Sequence, residues 1–186
     1  MFKVSDYVVY GSTGVCQIID ISRENNLSID EIQYYVLQPV YSNKMIIKIP
    51  VNNQKVLMRP IITKDDVSSL IADMLKKQII WINDDKQRTE NFKAALRTGK
   101  SEEWIKIIKA IYLEKEEKNV IGKKLTKIDE EIMKTAEKQL YEEFAIALNI
   151  SLDKVVPYII EHIKKNKYNI AEECYHYFNQ LQQSTI

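Results

Sequence analysis

An α+β fold, with a small all-β module ahead of an all-α bundle, is predicted by three features of the sequence. Through about residue 60, short runs rich in Val, Ile and Tyr alternate with turn residues, the pattern of strands. After Pro60 the apolar residues recur at i, i+3, i+4 and i+7, the period of amphipathic helices. Apolar residues make up 45% and charged residues 28% of 186 residues, ordinary proportions for a folded chain that can bury one medium core or two small ones.

In the first half the candidate strands are Tyr7 to Tyr10, Val15 to Ser22, Ile32 to Val40, Met45 to Ile49 and Lys55 to Met58. Turns are expected at Gly11 to Gly14, Asn25-Asn26, Ser42-Asn43 and Asn52-Asn53, where Gly and Asn tolerate positive φ. Five short antiparallel strands leave exposed edges unless the sheet curls on itself, so an SH3- or Tudor-like β-barrel is expected. Gly11-Ser12-Thr13-Gly14 invites comparison with a phosphate-cradling loop. Such a loop must deliver the chain into a helix N-terminus, whereas Gly14 leads into the strand Val15-Cys16-Gln17-Ile18-Ile19 and no Lys-Ser/Thr follows. A plain turn is the expectation.

In the second half Thr63 is an N-cap with Asp65 and Asp66 in the first turn, and Val67, Leu70, Ile71, Met74 and Leu75 form one stripe. A second helix runs from about Asp84 to Arg97 and stops at Gly99. Ser101 caps a third, with Trp104, Ile107, Ile108 and Ile111 inward. Thr126 and Asp129 form a capping box for a long helix through Leu148, with Ile132, Met133, Ala136, Leu140, Phe144 and Leu148 inward. Pro157 fits a last helix only within its first turn, which favours a start near Asp153 over Ser151. The domains expected are 1–60 (β module), 61–166 (helical domain) and 167–186 (tail).

Composition excludes several function classes. Cys16 and Cys174 are far apart with no ligand cluster around them, and the only histidines, His162 and His176, sit late in the chain, so no zinc site, redox motif or His-dependent triad is expected. Adjacent acids such as Asp65/Asp66, Asp84/Asp85 and Glu142/Glu143 point about 100° apart on a helix, and the first two pairs suit helix N-termini. The expected protein is non-enzymatic, with no cofactor and no metal. No apolar run is long enough for a membrane span and no leader precedes the first strand, so the expected location is the cytoplasm. A net charge of +1 hides two basic groups: Lys86, Arg88, Lys93, Arg97 and Lys100 around the second helix, and Lys123, Lys124, Lys127, Lys134 and Lys138 before and along the long one. Trp81, in the apolar run Ile79 to Ile82, reads either as core or as an exposed wedge.

Four stretches carry a resemblance. "FKVSDYVVYGSTGVCQI" and "YYVLQPVYSNKMIIKIPVNN" resemble the opening module of the CarD/CdnL transcription regulators, with Ser5 where that family has glycine. "RTENFKAALRTGK" and "LTKIDEEIMKTAEKQLYEEFAIAL" resemble segments of its second domain. The resemblance implies a Tudor-like module that binds the β subunit of bacterial RNA polymerase and a helical domain that contacts promoter DNA upstream of the melted region, stabilising the open complex. It implies polymerase contacts at Arg23 and at Ile47, Lys48, Ile49 and Pro50, the strand pairing edge to edge with its partner. It implies DNA contacts at Arg88, Lys93, Lys124 and Lys127. Many relatives carry a wedge tryptophan just before the arginine; here Trp81 lies several residues too early, so either Trp81 serves or the basic contacts act without it. A monomer is expected, held near the nucleoid through polymerase. The alternative reading is a scaffold whose module takes another partner, such as a repair helicase or an RNA-associated protein.

Overall fold

The computed structural model describes residues 1–25, 31–42, 45–76 and 81–165, without the side chains of residues 24, 25, 31, 75 and 76. The turns expected at Asn25-Asn26 and Ser42-Asn43, the side chain of Leu75 and the tail from residue 167 fall wholly or partly outside them. The chain forms two compact units, Met1–Ile61 and Ile62–Ile186.

The first unit is one antiparallel sheet of β1 (Tyr7–Tyr10), β2 (Gly14–Asn25), β3 (Glu31–Pro39), β4 (Ile47–Pro50) and β5 (Met58–Pro60), in the order β4-β3-β2-β1-β5. The expected barrel does not form: β4 and β5 lie at opposite edges and do not pair. Closure needs edge strands long enough to meet with the right stagger. Here the edges have four and three residues, and each ends in a proline that has no N–H for a ladder.

The β2–β3 hairpin carries the core. Its register slips between Ile18 and Asp20, so that Ile18 opposes Leu37 and Ile21 opposes Tyr35. Strict alternation would put Ile18 and Ile21 on opposite faces; the extra residue, Ile19, lets both face inward. Val8, Cys16, Ile18, Tyr35, Leu37 and Ile49 form the buried cluster, with Phe2, Ile21, Ile47 and Val51 against it.

Gly11–Thr13 is a single 3-10 turn between β1 and β2, with Gly11 at φ 46° and its N–H donating to the Leu57 carbonyl at 2.9 Å. A Cβ there would meet Val56 Cγ1 at 2.6 Å, so the position demands glycine for conformation and for room. Ser5 is less well matched. It sits in the turn from Lys3 to Asp6 at φ 76°, a backbone state that favours glycine, which is the residue the resemblance places there. Ser5→Gly should stabilise the sheet unit by roughly 0.5 to 1 kcal/mol, relief of the left-handed strain outweighing the added chain entropy. Urea unfolding followed by far-UV circular dichroism checks this, and a lower midpoint would contradict it.

The second unit holds α1 (Lys64–Lys76), α2 (Asp85–Arg97), α3 (Ser101–Val120), α4 (Lys127–Leu148) and α5 (Val155–Lys165). Thr63 caps α1 as expected and completes a capping box with Asp66 through bonds of 2.7 to 3.1 Å. Of the box expected at Thr126 and Asp129, the Asp129 N–H donates to the Thr126 hydroxyl at 3.1 Å, and that hydroxyl donates to Asp129 Oδ2 at 2.8 Å. Asp84 caps α2, accepting from the Gln87 N–H at 2.7 Å. Gly99 follows α2 at φ 63°, and Pro157 falls in the first turn of α5. Ser101 departs from expectation. It is the first residue of α3, and its hydroxyl donates to Glu143 Oε2 at 2.6 Å instead of capping.

Buried residues of α3 (Trp104, Ile105, Ile107, Ile108, Ile111, Tyr112) occupy more than one face, as a helix enclosed by its neighbours requires. It packs on α1, α2 and α4. Glu143, fully buried in α4, accepts from the Ile62 N–H at 3.1 Å as well as from Ser101, so one carboxylate joins the start of the unit to the start of α3.

Candidate partner-binding and nucleic-acid surfaces

In the sheet unit the edge strand β4 is the candidate docking element. It pairs only with β3, so half of its backbone donors and acceptors face away from the sheet. Alternation decides what its side chains can do. Ile47 and Ile49 point into the core, where Ile49 is 6% exposed, so these two predicted contact residues offer backbone and not side chains. Lys48 is on the opposite face, with Nζ 5.1 Å from the ring centre of Tyr34, and Tyr34 lies opposite Pro50. Lys48, Tyr34 and Pro50 thus form one patch on the outer face beside the free edge.

Arg23 is exposed but belongs elsewhere. It opposes Gln33 in the β2–β3 ladder, two residues beyond Ile21, and therefore lies on the core side of the sheet, away from Lys48. The fold does not bring the two basic residues onto one face.

In the helical unit Arg88 is not a surface cation. It is 1% exposed, and its guanidinium donates to both carboxylate oxygens of Asp129 (3.1 and 2.8 Å), to Asp85 (2.6 Å) and to the Ile82 carbonyl (2.8 Å). Burial works against its charge, but the hydrogen bonds to Asp129 and then Asp85 outweigh that and hold its pKa above the usual arginine value. The same guanidinium lies 4.2 Å from the ring centre of Trp81, with the Phe92 ring edge-on at 6.2 Å and Lys118 Nζ at 5.9 Å. Trp81 is therefore half-buried and engaged on one face by a fixed cation.

Lys93 is exposed on α2 about 140° round the helix from Arg88, hence turned from the side that meets Asp129 of α4. Lys124 and Lys127 are exposed at the connection into α4. Sequence reasoning missed Asp129 as the partner of Arg88, since its capping role accounted for it already. It also passed over Val120 and Ile121, 87% and 63% exposed at the end of α3; their cue was an apolar pair isolated between a charged run and Gly122.

Among the described residues no group of three or more His, Cys, Asp or Glu is arranged to hold a metal ion, and no helix is long and apolar enough to cross a membrane. No curated protein matches the chain. Residues 2–62, about a third of its length, match the family described as the CarD-like/TRCF RID domain. The sheet unit, with β4 at its edge, is thus the part of the chain that resembles a CarD-like/TRCF RID domain.

Proposed function

We propose that the chain is a non-enzymatic, cytoplasmic regulator of transcription initiation whose N-terminal domain binds the β subunit of bacterial RNA polymerase. Its helical unit contacts promoter DNA upstream of the melted region and stabilises the open complex. The observation that carries the reading is the family match over residues 2–62. The unpaired edge of β4 supports a docking mode in which backbone hydrogen bonds extend the sheet, while Lys48, Tyr34 and Pro50 beside it supply specificity. Exposed Lys124 and Lys127 support phosphate contact; Arg88, committed inside the fold, supports that surface without touching DNA.

Calorimetry of the full chain against the β subunit at low salt should give saturable binding. Lys48→Glu should weaken it about tenfold by reversing charge beside the docking edge. The absence of any binding by the natural chain would remove the reading's support. Promoter-opening kinetics with polymerase, with and without the protein, then test the effect on the open complex.

A further inference from the structure

Of the four large apolar side chains that stand exposed among the described residues of the helical unit, three fall within nine residues: Val120 at 87%, Ile121 at 63% and Ile128 at 49%. They share the tip of one hairpin. Ser101 at the start of α3 donates to Glu143 near the end of α4, so the two helices run antiparallel and the connection from Ile121 to Thr126 joins their other ends. The tip is not frayed. The Ile121 and Lys123 N–H groups donate to the Lys118 carbonyl at 3.2 and 2.8 Å, Gly122 has φ 69°, and the Arg88–Asp129 pair fixes the start of α4 from within.

Charges of both signs border the tip in equal number. Lys123, Lys124 and Lys127 lie at the tip itself, while Glu117, Glu130 and Glu131 lie about one turn further in along the two helices. All six are exposed, and none has an ion pair among the described residues. Their neighbours Lys118 and Asp129, by contrast, are paired, with Glu114 at 3.1 Å and with Arg88 at 2.8 Å. Glu117 stands three and four residues before Val120 and Ile121, and Glu131 stands three after Ile128, so these acids share helix faces with the exposed apolar side chains.

A polyanion such as DNA, or an anionic bilayer, gains from the lysines but is repelled by as many glutamates. A partner that suits the whole tip must offer apolar surface flanked by the same charges in the reverse order. The tip itself, turned by a two-fold rotation, offers that. Two hairpins laid antiparallel and overlapping by about one helical turn set the apolar side chains of each copy against those of the other, and the lysines of one tip beside the glutamates of its mate. We infer that the α3–α4 tip is an interface between two copies of this chain, an isologous pair closed by apolar contact and reciprocal Lys–Glu attraction. Three apolar side chains per copy make a small interface, so the association is weak, with a Kd on the order of 100 μM, and the dilute chain is the expected monomer. The pair covers Lys124 and Lys127, so a paired copy is not available for the DNA contact proposed above.

Sedimentation equilibrium of the full chain between about 5 and 500 μM brackets that affinity and should show a monomer–dimer equilibrium. V120S/I121S/I128S should weaken it at least about tenfold, since apolar area leaves both copies. K123E/K124E/K127E and E117K/E130K/E131K should each be monomeric alone, because every pair across the interface becomes a like-charge contact. An equimolar mixture of the two should associate again, to within about threefold of the natural chain, because the opposite charges are restored between unlike copies. Every substituted side chain is exposed, and a mixture that gains association cannot owe it to misfolding. A natural chain that stays monomeric throughout overturns the pair, as does a V120S/I121S/I128S chain that dimerises like the natural one, or a mixture that stays monomeric. DNA and polymerase are absent from these measurements, so a failed dimer leaves the DNA contact untouched.

Discussion

Arg88→Ala should lower the stability of the helical unit by about 3 to 5 kcal/mol, because it leaves the fully buried Asp129 carboxylate without its cation. Trp81 and Trp104, the only tryptophans, both belong to that unit, so urea unfolding followed by tryptophan fluorescence reports on it alone. Arg88→Lys should recover less than half of the loss. A single ammonium cannot reach two Asp129 oxygens, Asp85 and the Ile82 carbonyl from one plane. Replacing both partners, Arg88→Met with Asp129→Leu, should restore most of the stability, since the cost lies in a stranded charge more than in a lost attraction. An Arg88→Ala midpoint equal to that of the natural chain would show that the pair does not hold α2 to α4.

Glu143→Ala should cost about 2 to 4 kcal/mol by the same measurement. It withdraws the acceptor for the Ile62 N–H and the Ser101 hydroxyl and opens a gap in α4 where the side chain is fully buried. Glu143→Gln keeps the shape and one good acceptor, so its loss should be smaller. Hydrogen exchange separates this anchor from general packing: the Ile62 amide should exchange faster in Glu143→Ala under native conditions, ahead of amides in the middle of α3. Equal protection at Ile62 in both chains would remove the anchoring role.

The elements that the sequence announces most clearly are those whose signals are local. Thr63 as the cap of α1 and Thr126 with Asp129 at the start of α4 make their bonds within one helical turn, so residue type and spacing located them. Gly99 and Pro157 act through their own φ, and their positions held. Ser101 has the residue type of a cap, yet a carboxylate 42 positions away takes its hydroxyl, a preference that nothing nearby encodes. The barrel failed for a similar reason: closure depends on whether two distant edges can meet, and the pattern of apolar runs says only that strands exist. At the candidate surfaces, Lys48 could be placed on an exposed face by counting along β4, whereas the separation of Arg23 from it depended on the bulge at Ile19. Arg88 looked like a surface cation because arginine usually is one; Asp129, 41 residues away, decides otherwise.

The two edges of the open sheet are unequal, and this bears on how the protein survives without its partner. An unpaired strand can template a copy of itself, and a chain carrying one is at risk whenever its concentration exceeds that of its target. β5 offers three residues ending in Pro60, too little to nucleate a ladder, and β4 offers four, with a lysine in the middle and Pro50 at the end. Two copies meeting antiparallel at β4 would bring Lys48 near Lys48, and the repulsion disfavours the pair. The same residue faces no such penalty against an acidic surface. The charge beside the edge that is proposed to dock a foreign strand also keeps β4 from its own kind, so growth into stacked sheets is checked without covering the edge.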